Sequence, residues 1–255
     1  MKLDTFELAS PELGNSRKIR VLHPDEDGFY PVLYVHDGAF CFRKDTPPES
    51  ECLSIDKVLE RKNLPLIVVS IEAMDWMART KEYSPFPWVG EAEPYLKSGE
   101  EKGMIYLDWI VKSLMPCIAR RYKTKTDCPN TYMLGCSLGA QMSVYASARC
   151  PDVFSKIGCF SLADWGNEEA FLDFLRKAPL PVTTSYFIRV GTEEGRPRNM
   201  ASLGECYEKI SRNLAETLLE KGIRDLDFKV NEGRHHKTAE WEKDIPSFID
   251  WLLKD

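Results

Sequence analysis

The chain of 255 residues has only four histidines, His23, His36, His235 and His236, and none of its eight cysteines forms a C-x-x-C pair. With so few imidazoles and no paired-thiol spacing, the usual zinc-ligand patterns are missing, and no metal site is expected. No window approaches the roughly 18 uninterrupted apolar residues that a membrane-spanning helix requires. Long basic runs are also missing, and 34 basic against 40 acidic residues leave a formal charge of −6. Neither nucleic acid nor an anionic membrane is therefore an expected partner. Repeats and low-complexity tracts are lacking, and 15 Gly with 16 Pro is ordinary usage, which excludes fibrous and disordered classes. The first ten residues mix Lys2, Asp4 and Glu7 with single apolar side chains and lack the basic-then-apolar pattern of a secretory signal. A cytoplasmic protein with reduced cysteines is the expectation.

What is present is 43% hydrophobic residues over a length that suits one large domain, taken here as residues 1–255. Short β-branched or aromatic runs at 18–22, 31–36, 66–71, 131–134, 157–160, 186–190 and 226–230 read as strands. Between them, Leu107, Ile110, Val111, Leu114 and Ile118 recur at helical spacing, as do Leu203, Tyr207, Ile210, Leu214 and Leu218. A last helix carries Trp241, Ile245, Phe248, Ile249 and Leu252 on one stripe. Strands that lack two-sided alternation, each followed by a helix, predict an α/β fold with a mostly parallel central sheet flanked by helices on both faces. Two stretches break the pattern. Residues 74–99, with Pro85, Pro87, Pro94 and the aromatic run around Tyr83 and Trp88, read as a long irregular loop of the kind that binds or covers a site. Residues 161–183, with a helical segment Glu168–Lys177 followed by Pro179 and Pro181, read as part of a cap.

Gly135-Cys136-Ser137-Leu138-Gly139 matches G-x-S-x-G, placed after the strand 131–134 and before a helix running through Gln141, Val144 and Tyr145. That strand–turn–helix setting is what a nucleophile elbow needs, and the glycines let strand and helix approach closely. Ser137 then stands at a helix N-terminus, whose amides favour developing negative charge. Cys136 is read as packing. A serine of ordinary basicity needs a base. The order nucleophile, acid, histidine selects the His235–His236 pair, 98 and 99 residues beyond Ser137. The acid should lie between them, and Gly191-Thr192-Glu193-Glu194-Gly195 leaves a strand at a suitable place.

Together these segments resemble the Putative esterase family of α/β-hydrolases, the branch of enterochelin-type, feruloyl and acetyl-xylan esterases and formylglutathione hydrolase-like enzymes. Tyr34-Val35-His36-Asp37-Gly38-Ala39-Phe40 is similar to that family's early strand and turn, and Gly233…His236 followed five residues later by Trp241 to its tail. The resemblance implies an α/β-hydrolase fold and a serine carboxylesterase acting on a small-molecule ester through an acyl-enzyme. It implies Ser137 as nucleophile, His236 rather than His235 as base, and Glu194 ahead of Glu193 as acid. The backbone amides of Leu138 and of Ala39 or Phe40 would form the oxyanion hole. Arg79 and Tyr83 resemble the family's Arg…Tyr-x-Pro segment; with Trp165 in the second irregular stretch, they are the expected substrate-binding residues. No cofactor is implied, and homo-oligomerisation is left open. An acyltransferase on the same fold and an inactive hydrolase-fold binding protein are the alternatives.

Overall fold

The computed structural model describes residues 1–90, 92, 96–164, 166–195 and 201–254, with the backbone alone for 201–205. Eight strands alternate with helices: β1 Lys2–Ser10, β2 Asn15–His23, β3 Val32–Val35, α1 Ile55–Lys62, β4 Ile67–Ile71, α2 Trp76–Glu82, α3 Gly103–Trp109 and α4 Met115–Arg121. The remainder are β5 Thr131–Cys136, α5 Leu138–Arg149, β6 Lys156–Phe160, α6 Glu168–Lys177, β7 Ser185–Gly191, α7 Ala201–Glu220, β8 Leu226–Asn231, α8 Thr238–Glu242 and α9 Ile245–Leu252. They form one sheet in the order β1-β2-β4-β3-β5-β6-β7-β8. From β4 to β8 every pairing is parallel, and only β2 runs against its neighbours. Among the described residues no helix is long and apolar enough to cross a membrane.

The pleat sorts the apolar side chains into two layers. Val32, Tyr34, Val69, Met133, Ile157 and Ile188 join the core beneath α3 to α7. Their chain neighbours Leu33, Val35, Val68, Leu134 and Phe187 join a second core closed by α1 and α9. This is why the central strands read as continuous apolar runs: both of their faces are covered.

Four elements depart from the expectation. β1 was not foreseen; it pairs with β2 over its whole length, from Lys2 opposite His23 to Ser10 opposite Asn15. It is an edge strand with most side chains exposed or half-exposed, so it carries little apolar signal and takes its order from β2. Within the stretch read as irregular, Trp76–Glu82 is helical, because the Asp75 carboxylate accepts from the Met77 and Ala78 amides and caps it. The stripe from Leu107 to Ile118 is interrupted by a π turn at Ile110–Leu114 ahead of Pro116, which has no amide to offer the ladder. Likewise the final stripe is split between α8 and α9, with Pro246 in the first turn of α9.

A buried polar group ties α2 and α3 to the sheet beneath the turn after β3. Arg17 of β2 pairs with Glu82 of α2 at 3.0 Å, and its guanidinium lies over the rings of Tyr106 and Trp109 at 5.2 and 4.9 Å. The Tyr106 hydroxyl sits 2.9 Å from His36 Nδ1. His36 is 3% exposed. Burial pushes its pKa from 6.5 down to about 4, against the pull of the adjacent Asp37 carboxylate. An unfolded chain takes up this proton near 6.5 and the folded one only near 4, so protonation favours unfolding throughout that window. Stability is therefore lost as pH falls from about 6.5 to about 4, by about 3 kcal/mol through this one residue. In denaturant unfolding at a series of pH values, His36→Gln should show a shallower decline than the parent over that window. Equal slopes would mean that His36 takes its proton without unfolding.

Candidate active site

Ser137 is the single residue between β5 and α5, with φ 60° and ψ −127°. The close approach of its two flanks imposes this conformation. A Cβ on Gly135 would stand 2.0 Å from the Gly139 carbonyl oxygen, and one on Gly139 would stand 3.0 Å from His36 Cβ. Such a backbone costs about 1–3 kcal/mol and persists only where its surroundings fix it. Here the Ser137 amide donates to the Phe160 carbonyl at 2.9 Å, and the Ser137 carbonyl accepts from Ala140 at 2.9 Å and Ala163 at 3.3 Å.

The structure brings Ser137, His236 and Glu194 into one hydrogen-bonded line. His236 Nε2 lies 3.0 Å from Ser137 Oγ, and His236 Nδ1 lies 3.0 Å from Glu194 Oε2. Glu194 is buried, and its other oxygen accepts from the Gly191 amide and the Ser161 hydroxyl, both at 2.6 Å. The loop after β7 is laced to the loop after β8: Thr192 donates to the Asn231 carbonyl at 3.1 Å, and Glu193 to the Arg234 carbonyl at 3.0 Å. Those bonds turn Glu193 outward, where it is half-buried, while Glu194 faces the imidazole. His235 points elsewhere, its Nδ1 3.2 Å from the Glu193 carbonyl. The geometry thus separates both pairs of neighbours that the sequence offered.

Such a line can pass the Ser137 proton to His236 while Glu194 fixes the imidazole tautomer. Two amides close by have no hydrogen-bond acceptor among the described residues: Leu138, at the first position of α5, and Ala39, in the turn Gly38–Phe40. Phe40 differs from the expectation. Its amide is taken by the Asp37 carbonyl at 3.3 Å, which closes that turn. Ala39 and Leu138 are left as donors for an oxyanion.

A pocket of about 410 Å³ opens beside this turn, walled by Phe40, Leu53, Met74, Trp76 and Trp241, with Asp37 and Arg79 on one side. Cys136, read as packing, also faces it. Burial pushes its thiol pKa well up, which keeps it protonated and unreactive as a nucleophile. Arg79 lines the pocket, but Asp37 holds its guanidinium in a fork, Nε to Oδ1 at 2.6 Å and Nη2 to Oδ2 at 2.7 Å. Tyr83 does not reach the pocket. It is fully buried beneath the Arg79 guanidinium, and its hydroxyl accepts from the Asp37 amide at 3.2 Å. It braces the turn instead, which corrects its reading as a substrate contact. Trp165 lies outside the described residues. Sequence reasoning missed Ser161 and the Asp37–Arg79 fork: a serine after β6 has no distinguishing pattern, and the fork joins residues 42 apart. Among the described residues, no cluster of His, Cys, Asp or Glu could hold a metal ion.

Known proteins resemble this chain over nearly its whole length. Uncharacterized protein YbbA of Bacillus subtilis (strain 168) is 26% identical over 251 residues, spanning 96% of this chain and 95% of that protein. The crystal structure of BES protein from Bacillus cereus has a TM-score of 0.75 at 20% identity, covering 99% of this chain and 95% of that one. The IroE-like serine hydrolase from Shewanella oneidensis has a TM-score of 0.74 at 18% identity, covering 100% and 82% respectively. At these identities the solved structures speak for the fold, that of the α/β-hydrolase esterases. The model of the family described as Putative esterase matches residues 10–252, and the chain belongs to that family.

Proposed function

We propose that this esterase-family protein is a serine carboxylesterase that cleaves a small, uncharged ester through an acyl-enzyme. The observation that carries the reading is the continuous line from Ser137 Oγ through His236 to the buried Glu194, set at a strained elbow. Ser137 Oγ attacks the ester carbonyl carbon as His236 Nε2 takes its proton. The carbonyl oxygen becomes an oxyanion held by the Leu138 and Ala39 amides. The tetrahedral intermediate collapses, the C–O bond to the alcohol breaks, and His236 returns the proton to the departing alkoxide. Water then repeats the sequence on the acyl-enzyme, releasing the acid and restoring the serine. Throughout, Glu194 stabilises the imidazolium without taking its proton.

The pocket supports an uncharged substrate. Among the described residues that line it, the one Lys or Arg is Arg79, already paired with Asp37, and Glu72 at its edge is paired with Arg20 at 2.6 Å. The walls offer exposed aromatic surface instead, with Trp76 59% and Phe40 49% accessible.

Nitrophenyl esters of graded acyl length provide the test. Ser137→Ala should remain folded and lose about four orders of magnitude or more in kcat. Glu194→Gln should lose 10²–10⁴, since an amide favours the wrong tautomer, whereas Glu193→Gln should stay near the parent. Full turnover by Ser137→Ala on every ester that the parent cleaves would sink the mechanism.

The rate should climb with pH across the range in which imidazoles titrate, about 5 to 8, because only neutral His236 can accept the serine proton. His236→Ala should abolish both activity and this limb, while His235→Ala should leave both in place. The reverse pattern would assign the base to His235.

A further inference from the structure

Glu194 is gripped by more than its own loop. The Trp241 indole nitrogen lies 2.7 Å from Ser161 Oγ, and that hydroxyl lies 2.6 Å from Glu194 Oε1. The direction of both bonds follows from the groups themselves. An indole N–H can only donate, so Ser161 Oγ accepts there and its one proton is left for the carboxylate. With the Gly191 amide also on Oε1, the second oxygen is left to His236. Ser161 stands directly after β6 with φ 54°, a left-handed conformation that strains a non-glycine residue. Its amide donates to the Arg189 carbonyl at 2.7 Å, which holds the hydroxyl under Glu194. Trp241 reaches the site twice more: its ring stands edge-on to His236, 5.0 Å between centroids at 86°, and it forms part of the pocket wall.

We propose that Trp241 and Ser161 are positioning residues of the hydrolytic site, forming a directed relay from indole N–H to serine O–H to Glu194. The relay fixes the carboxylate so that Oε2 stays aimed at His236, and it anchors the indole that walls the pocket. The proposal rests on the reading of Ser137, His236 and Glu194 as the catalytic line. Among the described residues His236 is the ion-pair partner of Glu194; the thiols of Cys136 and Cys159 nearby are kept protonated by burial, and His235, Glu240 and the pairs Arg189–Asp227 and Arg234–Asp244 stand around the small cavity that Glu194 lines. The hydrogen bonds to Oε1 come from two neutral donors, Ser161 and the Gly191 amide. Removing one of them leaves more of the carboxylate's negative charge to stabilise the His236 imidazolium. The rising limb of the pH–rate profile should then move to higher pH.

Ser161→Ala removes the relay's centre, and Trp241→Phe removes only its first donor while keeping a ring against His236. With a nitrophenyl ester, Ser161→Ala should lower kcat by about 10- to 100-fold with KM within about threefold, and shift the rising limb upward. Trp241→Phe should move the limb in the same direction by less. The double variant should be no slower than Ser161→Ala alone, because both substitutions break one chain. If Ser161→Ala does not fold, the limb of Trp241→Phe decides. A fall in kcat with the limb unmoved in every folded variant would mark the pair as packing and overturn the relay, as would parental kinetics in both. In either case an inactive Ser137→Ala leaves the esterase reading standing, whereas an active one removes that reading and the relay with it.

Discussion

The close approach of β5 and α5 governs the site. With only hydrogen on Gly135 and Gly139, the chain turns within one residue, and Ser137 has no conformation open to it except one that lifts its side chain from the sheet. The same approach leaves Leu138 at the first position of α5 with its amide unused among the described residues, and lets the turn after β3 lie against the helix start. A second approach repeats the device. A Cβ on Gly191 would meet the Arg234 carbonyl oxygen at 2.2 Å, so the loops after β7 and β8 lie in backbone contact. Sheet order does the rest. β3, β5, β6, β7 and β8 are parallel neighbours, and their carboxyl ends deliver Ala39, Ser137, Ser161, Glu194 and His236 to one edge. Groups up to 99 residues apart in the chain meet there at hydrogen-bond distance.

Beneath the Ala39 amide the structure uses buried polar pairs where an apolar core would otherwise continue. Arg17–Glu82, His36–Tyr106 and Tyr83–Asp37 each bind a helix of the 76–109 region to the sheet or to the turn. Arg17–Glu82 is the ion pair among them, and removing one partner of a buried ion pair costs about 3–5 kcal/mol, since it leaves an uncompensated charge. Asp37 has φ 57° and is fixed by the Arg79 fork on its carboxylate and by Tyr83 on its amide. On the esterase reading, the Ala39 amide two residues along is thereby held in place, as an oxyanion donor must be if it is not to spend energy reorganising.

What could be read from the sequence followed from how locally each feature is determined. The elbow was legible because five consecutive residues carry the whole constraint, and the covered strands because both faces must be apolar. His236 and Glu194 were narrowed to neighbouring pairs by chain order and chosen within them by the family resemblance; the physical difference within a pair lies in which backbone carbonyl each loop residue meets, a matter of tertiary contact. α2 was hidden because prolines and aromatics flank a helix capped by a single aspartate. Tyr83 was misjudged for a related reason. Arg79, four residues earlier and on the same helix face, does line the pocket, and its guanidinium covers the Tyr83 ring beneath it. β1 carried no pattern of its own, and Ser161 had nothing to set it apart from any other serine at a strand end.

The internal pairing of charge bears on selectivity. On the esterase reading, an anionic substrate group entering the pocket would have to compete with Asp37 for the Arg79 guanidinium. Asp37 offers two parallel bonds from a part-buried, rigid position, and a bidentate pair of that kind is among the stronger contacts a guanidinium makes. Displacing it would free the Asp37 carboxylate beside the developing oxyanion, adding like-charge repulsion where the reaction can least tolerate it. A neutral group meets no such cost, and gains from covering Trp76, Phe40 and Trp241 at about 25 cal/mol per Å² of apolar surface. On that reading the fork that braces the turn after β3 also disfavours an anionic group in the pocket.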